Sequence, residues 1–123
     1  MKQRYSERVS VRCTAVFAGE NAIGDANVLD VSLPGCLLQT TRTVEVGEYV
    51  KLCILLPGSA APLKISLAVI RWVEKGFAGL EFIQSSPDDQ ARLIRFVRKH
   101  EQASVQVASG WHGGVELMAA VGE

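Results

Sequence analysis

From Val9 onward apolar and polar residues alternate, with Val9, Val11, Cys13, Ala15 and Phe17 on one side and Ser10, Arg12 and Thr14 on the other. That period of two is the signature of a half-buried β-strand. Gly19-Glu20-Asn21 and Gly24 read as a loop and turn. A second strand is predicted over residues 25–31, and Cys36-Leu37-Leu38-Gln39-Thr40-Thr41 continues as a third. Val46-Gly47-Glu48 is a turn, after which Val50, Leu52, Ile54 and Leu56 make a fourth alternating strand, stopped by Pro57-Gly58-Ser59. Leu63, Ile65, Leu67, Val69 and Val73 form a long fifth strand, broken by Lys75-Gly76, and residues 77–83 are the sixth. Short strands separated by turn signals predict an all-β barrel or sandwich rather than β-α-β units.

The period changes once, near the end. Ser86 is placed as an N-cap, Pro87 fits the first helical position, and Asp88 and Asp89 complement the positive end of a helix dipole. On the helical wheel Leu93, Ile94, Phe96 and Val97 share an arc, with Arg92, Arg95, Arg98 and Lys99 opposite. One face is expected to pack on the sheet and the basic face to stay solvated. His100 lies near the apolar arc, the place of a cap or a packed histidine. Beyond Gln102 the composition shifts to Ser, Val, Gly and Ala, so residues 103–123 read as a tail: Gly110-Trp111-His112-Gly113-Gly114 is linker-like, and residues 115–121 are apolar enough to dock. Residues 1–8 are polar without strand periodicity and are expected to form a flexible arm, which leaves residues 9–102 as the folded unit.

Composition narrows the classes. A chain of 123 residues is one domain and can bury a core without staples. With 48% hydrophobic and 21% charged residues it is globular rather than disordered. No run approaches the ~18 apolar residues of a membrane span, and the polar start carries no signal-peptide core, so the cytoplasm is the expected location. Thirteen basic residues balance thirteen acidic ones, which argues against bulk electrostatic binding of nucleic acid. The charge is uneven, however: Lys2, Arg4, Arg8 and Arg12 gather against Glu7, a cluster suited to a small anion. Cys13, Cys36 and Cys53 have neither even number nor C-x-x-C spacing, so they are expected to be buried, inert thiols rather than a disulfide or zinc site. No catalytic or metal-ligating set emerges, because the histidines, His100 and His112, have no oriented nucleophile beside them in sequence.

Two stretches carry candidate chemistry, Arg4-Tyr5-Ser6-Glu7-Arg8 and Asp30-Val31-Ser32-Leu33-Pro34-Gly35. Arginine presents a planar fork that matches a phosphate or the O6/N7 edge of guanine. Asp30, an acceptor when ionised, can receive the N–H donors of the opposite guanine edge. Ser32 has a hydroxyl for a phosphate oxygen. Gly35 marks a turn that needs positive φ, or a place where the missing Cβ admits a ligand to the backbone. Trp72 is a candidate stacking platform: on strict alternation it faces outward if Val69 is in the core, the other reading being an indole packed under the helix.

Taken in order, R-x-x-x-R and D-x-S-x-x-G resemble the ligand signature of the PilZ domain family. Val69-Ile70-Arg71-Trp72 followed by Gly79-Leu80-Glu81-Phe82 is similar to that family's late strand pair, and the likeness spans roughly residues 4–100. The resemblance implies a six-stranded antiparallel β-barrel with a C-terminal α-helix packed on it. It also implies that Arg4, Arg8, Asp30, Ser32 and Gly35 hold the bacterial second messenger cyclic di-GMP on the outside of the barrel. Some members hold two stacked ligands with a basic residue just before the first arginine; Gln3 stands there, which favours one ligand per chain. A receptor of this kind has no cofactor and no chemistry of its own, and signals to an effector protein by ordering its arm. The alternatives are a ligand-independent PilZ-like interaction module and, with less support, an oligonucleotide-binding barrel.

Overall fold

A computed structural model describes residues 8–20 and 22–110. Six strands, β1 (Val9–Gly19), β2 (Ile23–Val31), β3 (Gly35–Gln39), β4 (Tyr49–Ile54), β5 (Leu63–Glu74) and β6 (Phe77–Gln84), precede one helix, α1 (Pro87–Gly110). They close into an antiparallel barrel in the order β1-β2-β3-β6-β5-β4, with β1 sealing it against β4. Closure leaves none of the six described strands at an open edge.

The alternation of β1 is realised almost as written: Val9, Val11, Ala15 and Phe17 are buried, and Cys13 is half-buried beside an irregularity between Ser10 and Cys13. With Val28, Leu52, Ile54, Leu63, Ile65 and Ile70 they fill the interior. Gly24, read as a turn, lies inside β2 and pairs with Phe17. The third strand ends at Gln39 rather than Thr41, because Thr40 turns to give its hydroxyl to the Asp25 carbonyl.

β5 departs furthest from its expected pattern. Leu63 and Ile65 face the core as predicted, but an irregularity between Leu67 and Ala68 shifts the phase, so Ala68 and Ile70 continue the core. Leu67 is half-buried and Val73 exposed. An inserted residue exchanges the two faces of a strand from that point on. Lys75 and Gly76, both in the left-handed region (φ 50° and 87°), join β5 to β6 by a mirror-image turn whose twist suits a two-residue hairpin.

The helix begins as expected, with the Asp89 amide donating to Ser86 Oγ at 3.1 Å. Leu93, Phe96 and Val97 pack into the core cluster, whereas Ile94, placed in the same arc, sits exposed at its margin. Arg92, expected on the solvated face, reaches back into the loop before β5, where it donates to the Pro62 carbonyl (2.9 Å), Ser59 Oγ (2.7 Å) and the Ala61 carbonyl. The His100 ring packs 4.1 Å from that of Phe96, with Nδ1 2.9 Å from the Phe96 carbonyl oxygen. The helix continues past the composition change at Gln102 to Gly110. The arm through Glu7 and the stretch 111–123 lie outside the described residues.

No described helix is long and apolar enough to cross a membrane. All three cysteines are free; Cys36 is buried, while Cys13 and Cys53 are half-buried, less enclosed than expected.

Candidate ligand-binding groove

The D-x-S-x-x-G stretch folds as the tight connection between β2 and β3. The Ser32 amide donates to the Gly35 carbonyl at 2.8 Å and its hydroxyl donates to the same oxygen at 3.2 Å, so Ser32, 2% exposed, closes the turn from within. The hydroxyl expected to reach a phosphate is therefore already engaged. Across the turn, the Phe82 amide donates to the Pro34 carbonyl at 2.8 Å, tying the connection to β6.

Gly35 is required for packing within the protein and not for positive φ. Its φ is not positive, and the crowding comes from protein: a Cβ there would stand 2.0 Å from the Leu80 carbonyl oxygen. β3 thus starts pressed against the backbone of β6, a close approach that only glycine permits.

The strand register then lays a row across the barrel exterior. Ser10 pairs with Asp30, Asp30 with Leu37, Leu37 with Gly79, and Gly79 with Trp72. Paired residues share a face, so the carboxylate, an apolar side chain and the indole line up on one surface. A Cβ on Gly79 would lie 2.0 Å from Trp72 Nε1, so the glycine leaves the hollow in which the indole rests. Trp72 is 44% exposed and stands beside the groove rather than under the helix.

Its exterior position does not follow from Val69 being in the core. Val69 is buried yet outside the core cluster, pairing with Tyr49 and Glu81 on the outer face. An irregularity between Ile70 and Trp72 keeps both Val69 and Trp72 outside while Ile70 points in, and it turns Arg71 outward next to Trp72.

Two ion pairs flank this row. Arg8 Nη1 lies 2.8 Å from Asp30 Oδ1, and Arg71 grips one oxygen of Glu81, with Nε at 2.7 Å and Nη2 at 2.5 Å from Oε1. Both arginines are largely open to solvent, their side chains 63% and 60% exposed. Together with Ser32, Gly35, Leu37 and Gly79 these residues border a groove of about 370 Å³. Arg8, Asp30, Ser32, Gly35 and Trp72, singled out in the sequence, thus come together; Arg4 lies outside the described residues. Sequence reasoning did not single out Arg71, Glu81, Leu37 and Gly79, although Arg71, Gly79 and Glu81 stand in the late strand pair that carried the family likeness.

Beneath the groove Cys36 is closed off, its thiol pushed far up by burial and, secondarily, by the charge of Asp30. Burial raises the Cys13 thiol as well. Neither is a nucleophile at neutral pH. A larger depression of about 480 Å³ on the neighbouring exterior is bordered by Thr14, Asp25, Asn27, Gln39 and Thr41 without a single cation, which leaves the first groove as the candidate for an anion. An exposed indole, arginine forks and a carboxylate acceptor suit a planar, hydrogen-bonding anion.

The sequence profile of the PilZ domain matches residues 2–99. The chain belongs to the PilZ domain family. The match covers all six strands and the docked part of α1. Among solved structures, the Bacillus subtilis inhibitor of motility (MotI/DgrA) is similar with a TM-score of 0.71 at 18% identity, covering 84% of this chain and 53% of that one. The present chain therefore spans about half of the motility inhibitor. The PilZ domain of CeSA from a cellulose-synthesizing bacterium is similar with a TM-score of 0.62 at 18% identity, covering 78% and 99%. The Escherichia coli YcgR PilZ domain, solved with c-di-GMP, is similar with a TM-score of 0.65 at 16% identity, covering 88% and 98%. At these identities the likeness is one of fold. No curated protein sequence matches the chain.

Proposed function

We propose that this PilZ domain is a cyclic di-GMP receptor that works as an adaptor and catalyses nothing itself. The observation that carries the reading is the convergence on one open groove of Arg8, just before β1, Asp30 of β2 and Trp72 of β5, far apart in sequence. A stacked guanine on Trp72, its donor edge on Asp30 and its acceptor edge or a phosphate on Arg8 use each group for what it does best. Arg4, four residues before Arg8, supplies the second fork from the arm. Ser32 contributes by holding the turn, since its hydroxyl is engaged with Gly35. That a solved PilZ neighbour contains c-di-GMP supports the same ligand class.

Regulation then rests on the arm. A ligand bridging Arg4 and Arg8 to the β2–β3 turn draws residues 1–8 across the barrel, and the composite surface of arm, ligand and barrel is what an effector protein reads. Ordering costs conformational entropy, which tempers affinity in exchange for a ligand-dependent surface.

Calorimetric titration with cyclic di-GMP and cyclic di-AMP tests the reading. Cyclic di-GMP is expected to bind, and Asp30→Ala to weaken it more than it weakens the adenine analogue, which lacks the N1/N2 donor pair. Absence of cyclic di-GMP binding by the wild-type chain would overturn the proposal.

A further inference from the structure

The ion pair on the far side of the groove has no part in the two motifs, yet its geometry is that of an occupied anion site. Arg71 is turned outward by the irregularity between Ile70 and Trp72, which places two consecutive side chains, a guanidinium and an indole, on the same exterior surface. Its Nε and Nη2 converge on the single oxygen Oε1 of Glu81. That is how an arginine edge receives one oxygen of a carboxylate or of a phosphate. Both partners border the groove and both remain substantially exposed, at 60% and 43% of their side chains. An exposed pair of this kind contributes little to stability and is exchanged readily for another anion.

We propose that Arg71 is a further phosphate-binding residue of the groove, held in the free protein by Glu81, which stands in for the ligand's phosphate and must be displaced when the dinucleotide binds. The inference rests on the cyclic di-GMP reading and adds a gate to it. Arg8 and Arg71 approach the groove from opposite sides, Arg8 just before β1 and Arg71 on β5, and each is met by a carboxylate, Asp30 of β2 and Glu81 of β6. The two phosphates of a cyclic dinucleotide likewise lie on opposite sides of its macrocycle, so Arg71 can meet the one turned away from the arm. Glu81 acts as an internal competitor: it keeps Arg71 oriented toward the groove and sets the concentration at which phosphate replaces it.

A double-mutant cycle read by calorimetric titration with cyclic di-GMP tests this, with thermal unfolding of each variant as the check on folding. Arg71→Ala is expected to weaken binding about tenfold without lowering the melting temperature, because the side chain is exposed. Glu81→Gln is expected to tighten binding by about two- to fivefold through loss of the competitor, and to have no effect in the Arg71→Ala background. Wild-type affinity in Arg71→Ala would overturn the proposal while leaving the receptor reading intact. A gain from Glu81→Gln that persists without Arg71 would reduce Glu81 to general repulsion of an anion and overturn the gate. Absence of binding by the unmodified chain would instead remove the receptor reading, and this inference with it. Should Arg71→Ala lower the melting temperature, Arg71→Gln repeats the measurement with the stem of the side chain kept; wild-type affinity there also overturns the proposal.

Discussion

The helix end and the groove of the barrel both carry arginine–carboxylate pairs, but they are built to different tolerances. At the helix end Arg92 and Asp89 are only 25% and 14% exposed, and each has other partners: Asp89 accepts from the Lys64 amide and from Ser86, and Arg92 holds the loop through Ser59, Ala61 and Pro62. Breaking one contact there loosens several partly enclosed groups at once, which costs more than opening a lone exposed pair. At the groove Arg8 and Arg71 are open to water, and among the described residues each pairs with one carboxylate. Such pairs are cheap to open. Position thus decides whether the same two residue types fasten the fold or wait for a ligand.

Removing the helix-side anchor is expected to have the largest effect on stability. Arg92→Ala should cost about 1.5 kcal/mol in urea unfolding, the low end for charged hydrogen bonds because Ser59 and Ala61 are exposed and Pro62 is half-buried, while leaving cyclic di-GMP affinity unchanged. Equal losses of stability and affinity would erase the distinction between the two ends.

Asp89 comes next. Burial acts to raise its carboxyl, but the hydrogen bonds from Ser86 and the Lys64 amide and the charge of Arg92 outweigh it, so the carboxyl lies below its ordinary value. Asp89→Ala should cost about 1 kcal/mol at neutral pH, as loss of a hydrogen-bonded carboxylate from the first turn of a helix does. Because the folded carboxyl is depressed, its contribution is fully present above the unfolded value of about 3.9 and is lost as pH falls through the lower folded value. Urea midpoints of wild type and Asp89→Ala should therefore converge in strong acid; a difference that stays constant would contradict the ionic account.

On the groove side the effects on stability shrink and those on binding grow. Gly79→Ala places a methyl where Trp72 Nε1 now lies, and the exposed indole can swing aside. Stability should change by less than about 1 kcal/mol, because Gly79 is buried but the indole that covers it is itself exposed, while Trp72 emission shifts and ligand affinity falls. The readout requires a Trp111→Phe background, so that Trp72 alone reports. Unchanged emission would mean that the indole does not depend on the hollow.

How far the sequence disclosed this arrangement depended on the regularity of each strand. β1 was legible because its core-facing positions keep one phase nearly throughout, and the helix start because Ser86, Pro87 and Asp89 act through local chemistry. β5 was legible only to Ile65: its irregularities leave no mark in the hydrophobic pattern, since Leu67, Ala68, Val69 and Ile70 are all apolar. The Lys75-Gly76 turn does predict that Trp72 faces Gly79, three residues to either side, but strict counting would set Arg71 against Leu80, where the structure puts Ile70. The pairing of Arg71 with Glu81 was hidden for that reason. The crowding at Gly35 was not legible in the sequence, because the Leu80 carbonyl is brought near only by the closed barrel. Arg92 likewise looked solvated because the loop it binds lies about thirty residues earlier in the chain.

The most direct test of the account is Arg8→Ala, measured for stability and for binding in the same preparation. An exposed pair contributes at most about 1 kcal/mol to folding, whereas a bidentate arginine contact to a base is worth roughly 1–3 kcal/mol, or about one to two decades in affinity. The urea midpoint should therefore stay near that of wild type while the calorimetric dissociation constant for cyclic di-GMP rises ten- to a hundredfold. Wild-type affinity in Arg8→Ala, or a loss of affinity that only tracks unfolding, would contradict it.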